Sequence, residues 1–183
     1  MSEFKRKSTD GEIEISQPDF TGMVTLRADL ANSETIINIE RIIGLKLPEK
    51  RKFIGDLSHG MAWMSPDELL VFCADPAAMT GRLNAGLSGA FLVADVSHAR
   101  AVFLLQGDGV REVLAKGAPV DLSPEVFLPD DFRRTRMGQV AVAFWMSGQS
   151  PDSFGLICFA SVQEFMFDWL VTASKKGSLP HYL

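Results

Sequence analysis

The chain has 183 residues, of which 46% are hydrophobic and 22% are charged, a composition that excludes a disordered or fibrous protein and predicts one large domain or two small ones. Eighteen basic and 23 acidic side chains give a net charge of -5, and no stripe of Lys and Arg is present, so nucleic acid is not an expected partner. The apolar runs are shorter than the roughly 18 residues of a membrane-spanning helix, and the N-terminus lacks the apolar core of a signal peptide, so a cytoplasmic protein without membrane contact is expected.

Residues 1–20 are predicted to be a mobile N-terminal tail. Charges of both signs are mixed there with Ser, Thr and Gln, and apolar side chains are few, so the segment has little material for a core. Only residues 12–15, Glu-Ile-Glu-Ile, alternate polar and apolar side chains as a half-buried strand does.

Residues 21–98 are predicted to form a first ferredoxin-like half. In chain order the predicted elements are a strand through Val24 and Leu26, a helix from Ser33 to Gly44, strands at 61–64 and 69–73, a helix from Pro76 to Gly86 and a strand at 91–96. Ser33 and Asp75 are typical N-cap residues, and Pro76 suits the first position of a helix. Residues 65–68 carry Pro at the second position of a turn, which indicates a hairpin. This order of elements is that of a split βαβ unit.

Residues 99–183 are predicted to form a second half of the same kind. Its predicted elements are a strand at 100–106, a short helix at 108–116 closed by Gly117, strands at 139–146 and 154–160, and a helix from Ser161 to about Lys175. Residues 161–164 have the pattern of a capping box. The fourth strand of this half is missing. The predicted fold is therefore α+β, with two ferredoxin-like halves of which the second is incomplete.

The missing strand leaves one side of residues 100–106 as an open apolar edge, which proteins normally cover. Two covers are available. Residues 12–15 could fold back as the missing strand, or a partner subunit could add a strand of its own. The tail is favoured for the isolated chain, because Ile13 and Ile15 would share one face while the two glutamates remain in water.

The histidines and cysteines show neither a metal-binding nor a disulfide pattern. His59, His98 and His181 have no second His or Cys at ligand spacing, so a zinc or iron site is not expected. Cys73 and Cys158 each lie in an apolar run, which is typical of buried free thiols in an intracellular protein.

Two short stretches place an acid and a serine before a histidine: residues 56–59, Asp-Leu-Ser-His, and residues 95–98, Asp-Val-Ser-His. Either could be interpreted as part of a hydrolase triad. Neighbours along a chain point to different sides, however, and no Gly-x-Ser-x-Gly motif is present. The favoured interpretation of residues 95–98 is a turn between two strands.

Residues 107–109, Gly-Asp-Gly, follow a predicted strand and open a predicted helix, as the start of a dinucleotide-binding fingerprint does. The fingerprint's third glycine position is Glu112, whose negative charge is unsuited to a pyrophosphate. A tight turn with Asp108 as the helix cap is therefore favoured.

The tryptophans are expected in the core. Trp63 and Trp145 lie in predicted strands, and Trp169 lies with Phe165 and Leu170 on one face of the last predicted helix.

The one dense basic group consists of Arg133, Arg134 and Arg136, directly after Asp130 and Asp131. A solvated loop with local ion pairs is expected, and a contact with an anion or a partner is the alternative. No residue of the chain is thus predicted to be catalytic, cofactor-binding or metal-binding, which is typical of a binding module or a subunit.

Three stretches resemble the gamma subunit of heterotetrameric sarcosine oxidase. Residues 63–70, Trp-Met-Ser-Pro-Asp-Glu-Leu-Leu, are similar to the family's Trp-Leu-Gly-Pro-Asp-Glu-Trp-Leu. The longest signature resembles residues 95–103 with Gly107, residues 111–117, Pro119 and residues 121–122, and the C-terminal part resembles Thr135, Gly138 and residues 161–170. The chain departs from the family at Leu69, where tryptophan is usual, and at residues 160–162, Ala-Ser-Val instead of Arg-Ser-Phe.

The resemblance implies a fold related to the folate-binding domain of the glycine-cleavage T-protein. It also implies a non-catalytic gamma subunit that acts in assembly and stability. The complex would demethylate sarcosine oxidatively to glycine and pass the one-carbon unit to tetrahydrofolate. FAD, FMN, NAD and tetrahydrofolate would be bound by partner subunits, and the chain would contact the alpha subunit, with beta and delta in the same assembly. The alternative is a free-standing folate-binding or aminomethyltransferase-like protein of the T-protein type.

Overall fold

The computed structural model describes residues 7–182, which form two compact units. One unit is Phe20–His98, and the other consists of the described residues before and after it. The strands are β1 (Lys7–Ser8), β2 (Glu14–Ser16), β3 (Met23–Ala28), β4 (Phe53–Gly55), β5 (His59–Ser65), β6 (Glu68–Cys73), β7 (Phe91–Asp95), β8 (Arg100–Gln106), β9 (Phe132–Met137), β10 (Val140–Gly148) and β11 (Ser153–Phe159). The helices are α1 (Ser33–Ile43), α2 (Pro76–Gly86), α3 (Val110–Ala115) and α4 (Gln163–Ala173), with a 3₁₀ turn at Ala160–Val162. Within residues 7–182, no helix is long and apolar enough to cross a bilayer.

The unit Phe20–His98 has the predicted ferredoxin-like topology. Its antiparallel sheet has the order β4-β5-β6-β3-β7, and α1 and α2 pack on one face. Leu26 and Val71 of the sheet meet Ile39 of α1 and Leu83 of α2 in the core. The strand-helix-strand-strand-helix-strand order is confirmed, with β4 added at one edge.

Local signals in this unit place the helix ends well. The C-cap Gly44 has a φ of 84°, the left-handed conformation that favours glycine. Asp75 accepts a hydrogen bond from the N–H of Ala78, and Pro76 opens α2, as predicted. The predicted cap Ser33 is one residue late, because the side chain of Asn32 accepts the N–H groups of the first turn.

The other unit has a sheet of the order β1-β2-β8-β11-β10-β9. Strand β2 lies antiparallel to β8, and Ile15 pairs with Leu105. The missing strand is thus supplied by the N-terminal segment, as favoured from the sequence. The expected pairing of the strands around residues 139–146 and 154–160 is confirmed by β10 and β11.

Part of the predicted mobile tail is held on this unit. Ile13 and Ile15 are buried in its core. The N–H of Glu12 donates to the carbonyl oxygen of Ser174 at 2.7 Å, just after α4. Composition suggests mobility here, but two buried isoleucines, together with the pairing of β2 with β8, hold the segment on the sheet. Residues 1–6 lie outside the described residues.

The segment with three arginines is a strand rather than a loop. Strand β9 pairs with β10 along its whole length, and Arg134 and Arg136 project into solvent. The expected local ion pair exists between Arg133 and Asp131, whose atoms lie 3.5 Å apart. Because β9 is an edge strand, charged side chains are tolerated there, so a charge run does not exclude a strand.

Two predicted helix caps are wrong. Helix α3 begins after Gly109 without any side-chain cap, so Asp108 does not cap it. Helix α4 begins only after the 3₁₀ turn and likewise lacks a side-chain cap, so Ser161 forms no capping box. Of the expected apolar face, Leu170 is buried, but Phe165 is 56% exposed and Met166 is buried in its place.

Candidate functional site

The side chain of Arg111 projects from α3 into the interior and is 5% exposed. Its Nε donates to Oδ2 of Asp152 at 2.5 Å, and its Nη1 donates to the carbonyl oxygens of Leu122 at 2.8 Å and Phe127 at 2.9 Å. A buried charge is tolerated only when it is paired and hydrogen-bonded. Arg111 therefore holds the loop before β9 and the loop before β11 against α3.

A pocket of about 410 Å³ opens beside this guanidinium. Glu112, the next residue of α3, is 6% exposed, and its Oε2 accepts the N–H of His181 at 2.6 Å. The pocket is lined by Asp108, Arg111, Glu112, Pro124, Gln149, Ser150 and Asp152. With three carboxylates and one guanidinium in its lining, the pocket is acidic.

The guanidinium that lines the pocket binds loops of the chain itself rather than forming a reactive site. Arg111 directs its donors at oxygen atoms of the chain and at the sulfur of Met146. Its guanidinium is thus committed to the fold rather than offered to an anion. Among residues 7–182, no group of three or more His, Cys, Asp and Glu side chains is placed to hold a metal ion.

The Gly-Asp-Gly segment before α3 is a tight turn. The N–H of Val110 donates to the carbonyl oxygen of Gly107 at 3.1 Å. The carboxylate of Glu112 is buried at the position where a dinucleotide pyrophosphate would need a glycine. The residues present therefore do not fit a dinucleotide.

Residues 95–98 form the predicted turn after β7. Oδ1 of Asp95 accepts both the hydroxyl of Ser97 at 2.6 Å and its N–H at 2.9 Å. The Ser97 hydroxyl, followed by the Ser97 N–H, lowers the pKa of the Asp95 carboxyl. Asp95 and Ser97 thus bind each other as in a turn, and this is not the hydrogen bonding of a hydrolase triad.

Residues 56–59 repeat this arrangement. Oδ1 of Asp56 accepts the hydroxyl and N–H of Ser58, and the hydroxyl bond is the first cause of the lowered pKa of Asp56. The ring Nε2 of His59 lies 2.8 Å from the carbonyl oxygen of Ile43, at the end of α1. The ring of His59 therefore contacts the C-terminal end of α1.

Both cysteines are free and buried, as expected. Burial raises the pKa of Cys158 to about 11. Burial is also the first cause of the raised pKa of Cys73. Neither thiol has the lowered pKa of a reactive cysteine.

The tryptophans differ in burial. Trp145 is 2% exposed, and its ring covers Gly155 on the neighbouring strand so closely that a side chain there would overlap it. Trp63 and Trp169 are only half-buried, so the expectation of core positions holds fully for Trp145 alone.

Exposed apolar side chains are the candidates for partner contacts. The large ones are Phe20, Ile37, Leu92, Val126, Leu128, Phe159, Phe165 and Tyr182. Arg100 stacks its guanidinium over the ring of Phe159, with 5.7 Å to the ring centroid. These scattered positions are available for docking but do not form a catalytic arrangement.

Sequence reasoning assigned no role to Arg111 or Glu112. The signal that could have found them is their place in α3, where Val110, Val113 and Leu114 are all buried. Consecutive residues of a helix point in different directions, however, so these apolar neighbours indicate a buried helix without fixing the burial of Arg111 and Glu112.

A family model and a solved structure both relate the chain to sarcosine oxidase. A family model described as "Sarcosine oxidase, gamma subunit family" matches residues 27–176. No curated protein matches the sequence. Among solved structures, the chain is similar to one in heterotetrameric sarcosine oxidase from Corynebacterium sp. U-96 in complex with pyrrole 2-carboxylate. That match has a TM-score of 0.84 and 25% identity, and covers 96% of this chain and 90% of that chain.

A more distant likeness shows the fold alone. The glycine cleavage system aminomethyltransferase T from Bartonella henselae matches with a TM-score of 0.59 and 13% identity. The match covers 88% of this chain and 44% of that chain.

Proposed function

The chain belongs to the sarcosine oxidase gamma subunit family, and from this premise we propose that it is an assembly subunit of a cytoplasmic heterotetrameric sarcosine oxidase and contacts the alpha subunit. The observation that carries the proposal is the match to a chain of the Corynebacterium oxidase over nearly the full length of both chains. The complex would demethylate sarcosine oxidatively to glycine and pass the one-carbon unit to tetrahydrofolate.

In this proposal the chain contributes surface and stability, while the chemistry belongs to its partners. The reasons lie in the polar groups already described. The guanidinium of Arg111 donates its hydrogen bonds to the chain's own atoms, and the ring of His59 contacts the C-terminal end of α1. FAD, FMN, NAD and tetrahydrofolate are accordingly proposed for the partner subunits.

The alternative function, a free-standing folate-binding protein, is less supported. A folate site needs an acid to bind the pterin ring and a cation or tyrosine to bind the tail. In the acidic pocket, Glu112 already accepts a backbone N–H, and Arg111 is bonded to Asp152. The one tyrosine of the chain, Tyr182, is 60% exposed near the C-terminus.

Co-expression with the large subunits of the same oxidase tests the proposal. The expected result is a stable complex that contains this chain and consumes oxygen with sarcosine. Leaving out this chain should lower the yield of the complex and shorten its half-life on heating. If the other subunits assemble and survive heating equally well without it, the assembly role is wrong.

Titration of the isolated chain with tetrahydrofolate is the companion measurement. Calorimetry should detect no binding to the isolated chain. Saturable binding at micromolar concentrations would favour the alternative function instead.

A further inference from the structure

The outer edge of β7 is the one sheet edge in residues 7–182 that carries none of the usual protections. Strand β1 has two residues and β4 has three, while β9 carries three arginines. Short length and charge are the means by which proteins protect sheet edges. Strand β7, Phe-Leu-Val-Ala-Asp, has five residues and no charge before its last.

The backbone of β7 offers specific unpaired groups. The N–H of Val96 donates to the carbonyl oxygen of Met23 at 2.8 Å, so the backbone N–H and C=O groups of Val96 point towards β3. In an antiparallel pair, residues alternate between facing the partner strand and facing away. The backbone N–H and C=O groups of Leu92 and Ala94 therefore point towards β3, whereas those of Phe91 and Val93 point away from the sheet.

The other unit shows what such an edge accepts. In that sheet β2 lies beside β8, as β7 lies beside β3 in the sheet of the unit Phe20–His98. The outer edge of β2 is paired with β1. In the unit Phe20–His98, the sheet ends at β7. The same position is thus covered by a strand in one unit and open in the other.

We propose that β7 pairs with an extended segment of a partner subunit, which adds a sixth strand to this sheet. This inference rests on the proposed function, since it identifies the contact through which the subunit docks. The segment would be uncharged where it meets Leu92, which is 51% exposed. Main-chain hydrogen bonds to Phe91 and Val93 would hold it, as in other cases of strand addition.

Amide exchange in the isolated chain and in the assembled complex tests the pairing. The outward N–H groups of Phe91 and Val93 should exchange rapidly in the isolated chain and at least about tenfold more slowly in the complex. The inward N–H groups of Leu92 and Ala94 bond to β3 in both states and serve as the internal control.

Variants of Val93 test the same contact through assembly. V93P removes an outward N–H without breaking the bonds to β3, and V93A makes a comparable change in side-chain packing while keeping the N–H. Co-purification with the partner subunits should fall about tenfold for V93P relative to V93A.

A second pair of variants does not depend on proline. L92K places a charge beside the open edge, whereas I37K places the same charge on α1, where Ile37 is 62% exposed. L92K should weaken assembly and I37K should not.

The outcomes separate this inference from the proposed function. Failure of the unmodified chain to join the complex would contradict the proposed function. Assembly with rapid exchange at Phe91 and Val93, and with L92K and V93P as competent as their controls, would overturn the β7 contact alone. Dimerisation of the isolated chain with protection at β7 would overturn it in favour of a second copy.

Discussion

Ile15 of β2 lies opposite Leu105 of β8, and both side chains are almost completely removed from solvent, at 0% and 1% exposure. This pair joins the N-terminal segment to the second ferredoxin-like half. The half that lacks a fourth strand in chain order thereby gains one from the opposite end of the sequence.

Deleting residues 1–17 should expose the edge of β8. The N–H groups of Leu104 and Gln106, which face β2, should then exchange faster, and the solubility of the chain should fall because an apolar edge is opened. Amides of β3, in the other unit, serve as the control. Unchanged protection at Leu104 and Gln106 would show that β2 does not close the edge.

Replacing Arg111 by alanine should lower the free energy of unfolding by about 3–5 kcal/mol, because the change removes a buried guanidinium. It leaves the partly buried carboxylate of Asp152 without its ion-pair partner and the main-chain oxygens of Leu122 and Phe127 without their donor. R111K should recover little, since an ammonium cannot reproduce the fork of donors. The matched control is R136A on the exposed side of β9, with an expected change within about 0.5 kcal/mol. Denaturant unfolding measures all three, and a loss below about 1 kcal/mol for R111A would contradict the structural role.

Two glycine-to-alanine changes should alter the stability of the fold in opposite directions. G155A would force the Trp145 ring out of place and should cost about 1–3 kcal/mol or more, as overpacked cores do. G81A lies within α2, where a Cβ meets nothing within 4 Å, and should stabilise by about 0.5–1 kcal/mol. Thermal unfolding of the two variants provides the comparison, and equal effects would refute it.

Neighbouring residues of α4 should differ sharply in their effect on stability. M166A removes a fully buried side chain and should cost about 2–5 kcal/mol. F165A removes a larger side chain that is mostly in solvent and should change the free energy of unfolding by about 0.5 kcal/mol at most. A large loss for F165A would mean that the apolar face of this helix includes Phe165 after all.

Alkaline pH should destabilise the fold through Cys158. Its pKa is raised from 9.0 to about 11 by burial, so the unfolded chain loses this proton before the folded chain does. The contribution to stability is complete below about pH 9 and is lost as the pH rises towards 11. C158A should reduce the loss of stability over this interval, and native Cys158 should react with thiol reagents only slowly. Labelling at pH 8 as fast as in denaturant would contradict its burial.

Local chemistry sufficed for much of the fold. The hairpin at residues 65–68, the Asp75-Pro76 helix start and the Gly44 helix end each depend on a few adjacent residues. Strand β9 was missed because its three arginines suit a loop equally well, and only pairing with β10 distinguishes the two. The absent cap at Ser161 shows the same limit, since a 3₁₀ turn replaces the first helical turn.

The network of Arg111 could not be predicted in detail. Its acceptors at Leu122 and Phe127 are main-chain oxygens of a loop without regular structure. Any residue type supplies such an oxygen, so the sequence carries no mark of the contact. The apolar neighbours of Arg111 indicate a buried helix, but neither the direction of its side chain nor its partners could be predicted from them.

One unit is continuous in sequence and the other is not, and this difference determines the order in which we expect them to fold during synthesis. Phe20–His98 is one uninterrupted stretch, whereas the other unit needs residues from both sides of it. Strand β2 leaves the ribosome early, yet its partner β8 and the strands beyond it appear only after the whole middle unit has been made. Because domains fold as units and contacts distant in sequence form slowly, the middle unit should fold first, while Ile13 and Ile15 wait exposed. A nascent chain released before β11 would present these isoleucines and the open edge of β8 to chaperones.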